Sequence, residues 1–121
     1  KGSGFTPLPI AKSAPIGSEV TIISHPEGRF YTVSKGIISR YYKGRGGKEK
    51  GSPRLAITAD FAKGSSGSPV FDTSGSVIGV VTTTHSIYYN KTEGIERNLQ
   101  MVIKSCIPSS SILKLLESTT P

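Results

Sequence analysis

Short runs of alternating apolar and polar residues, interrupted every few positions by Gly, Pro, Ser or Asp, set the structural expectation for this chain. Val20-Thr21-Ile22-Ile23 and Val80-Val81-Thr82-Thr83-Thr84 are β-branched clusters, and such side chains fit a pleated, half-buried surface. Strands are predicted near 19–24, 30–42, 54–60, 69–72, 77–84 and 99–104. Turn signals at Pro26-Glu27-Gly28, at 44–52, at 64–67 and at Ser74-Gly75 separate them. Gly36, inside the second run, suggests a bulge or sharp bend. Residues 1–18, with Pro7, Pro9 and Pro15, read as an extended connector, and 19–121 as the domain proper. Only the C-terminus changes period. After Pro108 the serines at 109–111 can cap a short helix with the apolar stripe Ile112, Leu113, Leu115 and Leu116, packed on the sheet.

Composition agrees with an all-β domain rich in turns: 121 residues hold 14 glycines and 8 prolines, with no tryptophan and no internal repeat. That length supports one core without metal or disulfide staples. Cys106, the single cysteine, permits no internal bridge, is compatible with any compartment, and reads as a small buried hydrophobe. The apolar runs are too short to span a bilayer, no signal-peptide pattern is present, and nothing calls for a metal or cofactor. The formal charge of +7 is unevenly placed. Arg40, Lys43, Arg45, Lys48, Lys50 and Arg54 share one glycine-rich window with Glu49 as its lone acid, which reads either as a solvated hairpin loop or as an electrostatic docking site. Beyond Tyr41-Tyr42 the window lacks interleaved aromatics, which argues against a nucleic-acid partner.

Candidate chemistry centres on Gly64-Ser65-Ser66-Gly67-Ser68-Pro69, followed by the apolar pair Val70-Phe71. A serine that attacks a carbonyl must sit on a tight, exposed turn whose N–H groups converge on the developing oxyanion, and glycine allows that approach. Gly64 and Ser66 would supply those amides. A plain Gly/Ser turn between strands has the same composition, so the neighbours must decide. The hydroxyl also needs a base. His25, before Pro26, reads as a turn residue, and His85 lies on the stretch expected to meet substrate backbone, so neither is a convincing partner. The α/β-hydrolase elbow fails at Ser68, where glycine is required, and the phosphate-binding loop fails because Gly47-Lys48 is followed by Glu49.

The stretch Thr58-Ala59-Asp60-Phe61-Ala62-Lys63-Gly64-Ser65-Ser66-Gly67-Ser68-Pro69-Val70-Phe71, then Ser74-Gly75-Ser76-Val77-Ile78-Gly79-Val80-Val81, resembles the C-terminal half of a trypsin-like, chymotrypsin-fold serine peptidase. In style it is closest to the disulfide-free bacterial Deg/HtrA-type enzymes. The resemblance covers about residues 15–117 and implies a six-stranded antiparallel Greek-key barrel, the second barrel of that fold, with a short C-terminal helix. It makes Ser66 the acylating nucleophile and the Gly64 and Ser66 N–H groups the oxyanion hole. It places Asp60 at the floor of the primary specificity pocket, and Thr82, Thr83 and Thr84 along the edge that pairs with an extended peptide or protein substrate. Thr84 stands where trypsin keeps a glycine, which counts against a basic preference. Ser65 stands where trypsin zymogens carry an activating aspartate, so N-terminal cleavage is not expected to switch the enzyme on.

The resemblance puts the triad's His and Asp on a missing N-terminal barrel upstream of Lys1, so this chain by itself is expected to be nearly inert. It also implies a bacterial setting, periplasmic or secreted. The barrel edge left open without the first barrel offers a pairing site for a second copy. The alternative is a catalytically inactive, protease-like domain that binds peptides or proteins. Asn90-Lys91-Thr92 matches the glycosylation pattern at chance level, and Glu93 and Glu96 are read as part of a solvated loop near the pocket mouth.

Overall fold

Val20, Ile22 and Ser24 point inward from β1 (Glu19–Ser24), while Glu19 and Ile23 face out, the two-residue period that its sequence predicts. The computed structural model describes residues 6–45, 47–62, 64–92 and 94–119. The further strands are β2 (Thr32–Lys43), β3 (Pro53–Ile57), β4 (Pro69–Phe71), β5 (Val77–Thr92) and β6 (Ile95–Pro108), and the chain ends in α1 (Ser109–Thr119). All strand pairs are antiparallel, and they close in the order β1-β2-β3-β6-β5-β4. Since β4 returns to lie beside β1 after the β1-β2-β3 meander, the connection is a Greek key.

Closure surrounds one core. Ile22, Ile38, Leu55 and Val70 are fully buried within it, joined by Val20, Ile57, Ala59, Phe61, Ile78, Val81 and Cys106. Each large aliphatic side chain there contributes about 1.5–3 kcal/mol by leaving water. Cys106 occupies the core as the sequence suggests, and burial pushes its thiol up to about 12. Closure gives every strand of the barrel two neighbours among the described residues.

Some expectations of local structure need correcting. The bulge in β2 lies between Ile38 and Arg40, not at Gly36. Gly36 pairs regularly with Val20, and its reason is steric: a Cβ there would run into Ala59 N and the Thr58 side chain. The bulge inverts the alternation of β2. Ile38 lies in the core opposite Ile57, but beyond the bulge it is Tyr41 that pairs with buried Leu55, and Arg40 and Tyr42 take the outer face. The described part of the connector is docked on the barrel. Val77 N–H donates to Pro9 O (2.8 Å), Ala11 N–H donates to Val77 O (3.0 Å), and Ala14 is part of the core. β5 and β6 continue as a hairpin well beyond the predicted 77–84 and 99–104. On α1, Ile112 and Leu113 are half-buried, whereas Leu115 and Leu116 are exposed, so the apolar stripe is covered on one side only. Residue 93 and the side chains of the Asn90-Lys91-Thr92 triplet and Glu96 lie outside what is described.

Candidate active site

The serine turn is built where the chain leaves the core at Phe61 and re-enters it at Val70. Ser65 N–H donates to Ala62 O (3.0 Å) and Ser68 N–H to Ser65 O (3.1 Å), closing two successive turns. Gly67 N–H donates to Val81 O and Val81 N–H to Ser68 O, both 2.9 Å, which clamps the far side of the turn onto β5. Beneath it the fully buried Ser65 hydroxyl donates to the buried Ser24 hydroxyl at 3.2 Å. Ser65 therefore satisfies its polar group within the barrel.

Ser66 stands exposed at the top of this frame. Its hydroxyl donates to Thr82 O at 3.0 Å, and that carbonyl is fixed because Thr82 Oγ1 in turn donates to Ser105 O (2.9 Å) across the β5–β6 pair. The Gly64 and Ser66 N–H groups donate to no described residue. Backbone donors that converge near a serine hydroxyl can hold an anion or a polarised carbonyl oxygen. Gly64 is required twice over: its φ is +98°, and a Cβ there would lie 2.8 Å from His25 O and 3.3 Å from Glu27 N. The backbone of the turn after β1 is thus packed directly against the turn that carries Ser66.

Ser66, Thr82, Thr83 and Thr84 line one cleft of about 200 Å³, together with Phe61 and Ala62. Phe61 and Ala62 were not singled out from sequence, although they lie inside the motif. Beyond the Pro69–Val80 pair β4 ends, so from Thr82 to His85 the side of β5 turned away from β6 has no described strand against it. An extended peptide could pair there.

Asp60 departs from expectation. It is absent from this cleft, its side chain is 87% exposed, and its carboxylate takes an ion pair with Lys104 Nζ at 3.0 Å. Lys104, 15% exposed, reaches it from β6, where it pairs with Thr84. A buried, unpartnered carboxylate awaiting a basic substrate is not what the chain presents. Ser34 Oγ fixes the local backbone by donating to Asp60 O (2.6 Å).

The histidines behave as turn and strand residues. His25 Nδ1 accepts the Tyr31 N–H (3.0 Å), and its ring packs against Phe30 and Tyr31. His85 is exposed on β5 opposite Ile103, outside the Ser66 cleft. Among the described residues no three of His, Cys, Asp and Glu gather as metal ligands, and no helix is long and apolar enough to cross a membrane.

Residues 1–80, the serine turn included, match the family described as the trypsin-like peptidase domain. No curated protein sequence matches. Among solved structures, the chain is similar to an HtrA-type protease, an AlgW variant with a decapeptide, at TM-score 0.70 and 22% identity, covering 92% of this chain and 32% of that one. It is also similar to an inactive mutant form of Rv3671c from M. tuberculosis H37Rv, at TM-score 0.66 and 20% identity, covering 98% of this chain and 57% of that one. At such identities these likenesses speak for the barrel alone, and the chain spans about a third to somewhat over half of those proteins. The family match extends over most of the sequence and ends only after the serine turn and the strand that follows it, so the chain belongs to the trypsin-like peptidase domain family.

Proposed function

We propose that this chain supplies the nucleophile, the oxyanion hole and the substrate cleft of a trypsin-like serine endopeptidase acting on peptides or proteins, with the catalytic His and Asp carried on a first barrel outside it. Ser66 Oγ attacks the scissile carbonyl while the histidine takes its proton. The carbonyl oxygen, now an anion, accepts hydrogen bonds from the Gly64 and Ser66 N–H groups; the histidine then gives its proton to the leaving nitrogen, and collapse of the adduct expels the amine and leaves an acyl-Ser66 ester for water to hydrolyse. The observation that carries this reading is an exposed Ser66 lining a cleft, with its own N–H and that of Gly64 in the same turn donating to no described residue. Each such donor is worth about 10²–10³ in kcat in enzymes of this type.

A second reading, a protease-like domain that binds peptides without cleaving them, has one observation in its favour: the Ser66 hydroxyl is donated to Thr82 O rather than to a base. A fluorophosphonate probe separates the two. In the intact protein the probe labels Ser66, and Ser66→Ala abolishes the label; absence of labelling in the unsubstituted protein refutes the peptidase reading and leaves the binder.

A further inference from the structure

The basic window noted in the sequence is not used by the nucleophile, yet the fold brings it to the substrate strand. A groove of about 720 Å³, a size suited to a ligand rather than to one side chain, lies on the outer face of β2, β3, β6 and β5. Arg40, Arg45 and Arg54 line it on one side, and Thr83, Thr84 and His85 of β5 on the other. No Asp or Glu is among the described residues that line it. Thr83 and Thr84 also line the Ser66 cleft, so groove and cleft border on the same two residues of β5.

Its floor is pre-set. Tyr42 donates its hydroxyl to Ser105 Oγ (2.7 Å), and the Arg40 guanidinium lies over the Tyr42 ring, 5.1 Å from its centroid. The stack holds one guanidinium in place before any ligand arrives, which spares the cost of ordering a long side chain. It also covers one face of the Tyr42 ring, a face on which a nucleobase would stack, leaving His85 as the other aromatic ring among the described residues that line the groove. The β2 bulge makes the arrangement, because it is the bulge that turns Arg40 and Tyr42 outward.

Resting on the peptidase reading, we infer that this groove is a second specificity site selecting substrates with acidic side chains N-terminal to the scissile bond. A substrate pairing with the open side of β5 in the antiparallel sense, as every strand neighbour in this barrel does, runs toward its own N-terminus as β5 runs from Thr82 to His85. At about 3.3 Å per residue, His85 lies some 10 Å along the strand from Thr82, so the side chains over the groove belong to residues about two to four positions before the bond cleaved. Guanidinium groups are the donors best shaped for carboxylates, which they bind through two parallel hydrogen bonds.

The test uses the intact protein and fluorogenic peptides that differ only in carrying Glu, Gln or Lys at those positions. The expected result is kcat/KM at least about tenfold higher for Glu than for Gln, and lower still for Lys, with the Glu advantage shrinking as salt rises. In Arg40→Gln and in Arg45→Gln, the latter exposed and distant from the core, the Glu-to-Gln ratio falls toward one; Lys12→Gln, an equal loss of charge elsewhere on the surface, keeps the ratio. A ratio near one in the unsubstituted protein, or one untouched by both arginine substitutions, overturns the inference. Fluorophosphonate labelling of Ser66, measured in parallel, reports the peptidase reading separately. In Ser66→Ala, fluorescence anisotropy with the Glu peptide reads the groove without turnover: binding lost in Arg45→Gln supports the site, and stronger binding of a single-stranded oligonucleotide than of the peptide refutes it.

Discussion

The buried hydroxyl pair under the nucleophile turn gives the sharpest test of how the site is supported. Ser24 and Ser65 sit almost wholly out of water, and among the described residues the Ser65-to-Ser24 hydrogen bond is the side-chain bond that either of them makes. Ser65→Ala removes the partner and leaves the Ser24 hydroxyl buried and unpaired, which costs about 1–3 kcal/mol. Ser24→Ala strands the Ser65 hydroxyl with a penalty of the same order. Replacing both removes the unsatisfied group altogether and leaves only the small gap of two missing oxygens, a cost of about 1 kcal/mol or less. The double-mutant cycle should therefore be strongly non-additive, with the pair of changes cheaper than the sum of the single changes by about 1–5 kcal/mol. Urea unfolding measures it: each single variant lowers the midpoint at unchanged slope, and the double variant recovers much of the loss. Single effects that simply add would refute the reasoning, because the two hydroxyls would then not depend on each other. The turns at Ala62–Ser65 and Ser65–Ser68 are closed by backbone atoms, so these substitutions weaken the frame without removing its hydrogen bonds.

Further expectations follow from the same geometry. Gly64→Ala must accommodate both φ +98° and a contact of 2.8 Å with His25 O, so it should destabilise the protein by about 2 kcal/mol or more and slow fluorophosphonate labelling of Ser66; full stability in urea and an unchanged rate would contradict this. The Cys106 thiol is held up to about 12 by burial against 9.0 for a free one, so an unfolded chain loses its proton first as pH rises. Its contribution to stability is intact below about pH 9 and declines between about 9 and 12, by at most about 1.4 kcal/mol per pH unit. A Cys106→Ala variant lacking that decline, and a thiol reagent that reacts only as the protein unfolds, are the expected observations. Because Asp60 is exposed and outside the Ser66 cleft, Lys104→Met, which keeps the buried stem but removes the ion pair, should leave the ratio of kcat/KM for peptides with Arg before the scissile bond to that for Ala within about twofold of the unsubstituted protein; a rise of about tenfold would return Asp60 to specificity.

What could be read from the sequence was whatever contrast between core and solvent makes visible. β1 matches its predicted limits because Val20, Ile22 and Ser24 alternate with residues facing out, and β4 differs by one residue. β5 and β6 were predicted short because residues 85–98 are mostly polar, with no apolar alternation to mark them, and the pairing of the two strands with each other defines them instead. Gly36 was legible as special but not in which way, since a bulge and a close backbone approach both demand glycine. The spacing from Asp60 to Ser66 could not disclose that a lysine far along the chain, Lys104, would reach the carboxylate. Likewise the arginines of the basic window were visible, but their meeting with Thr83, Thr84 and His85 is a product of strand order and register.

The docking of residues 9–11 on Val77 has a mechanical consequence. The Ile10–Val77 bridge is the only parallel pairing described, and two backbone hydrogen bonds fasten it. Tension arriving along the chain from its N-terminal side is delivered to the first residue of β5, the strand whose Thr82 carbonyl holds the Ser66 hydroxyl. A load at Pro9 would thus act on the same strand whose Thr82 carbonyl accepts the Ser66 hydroxyl.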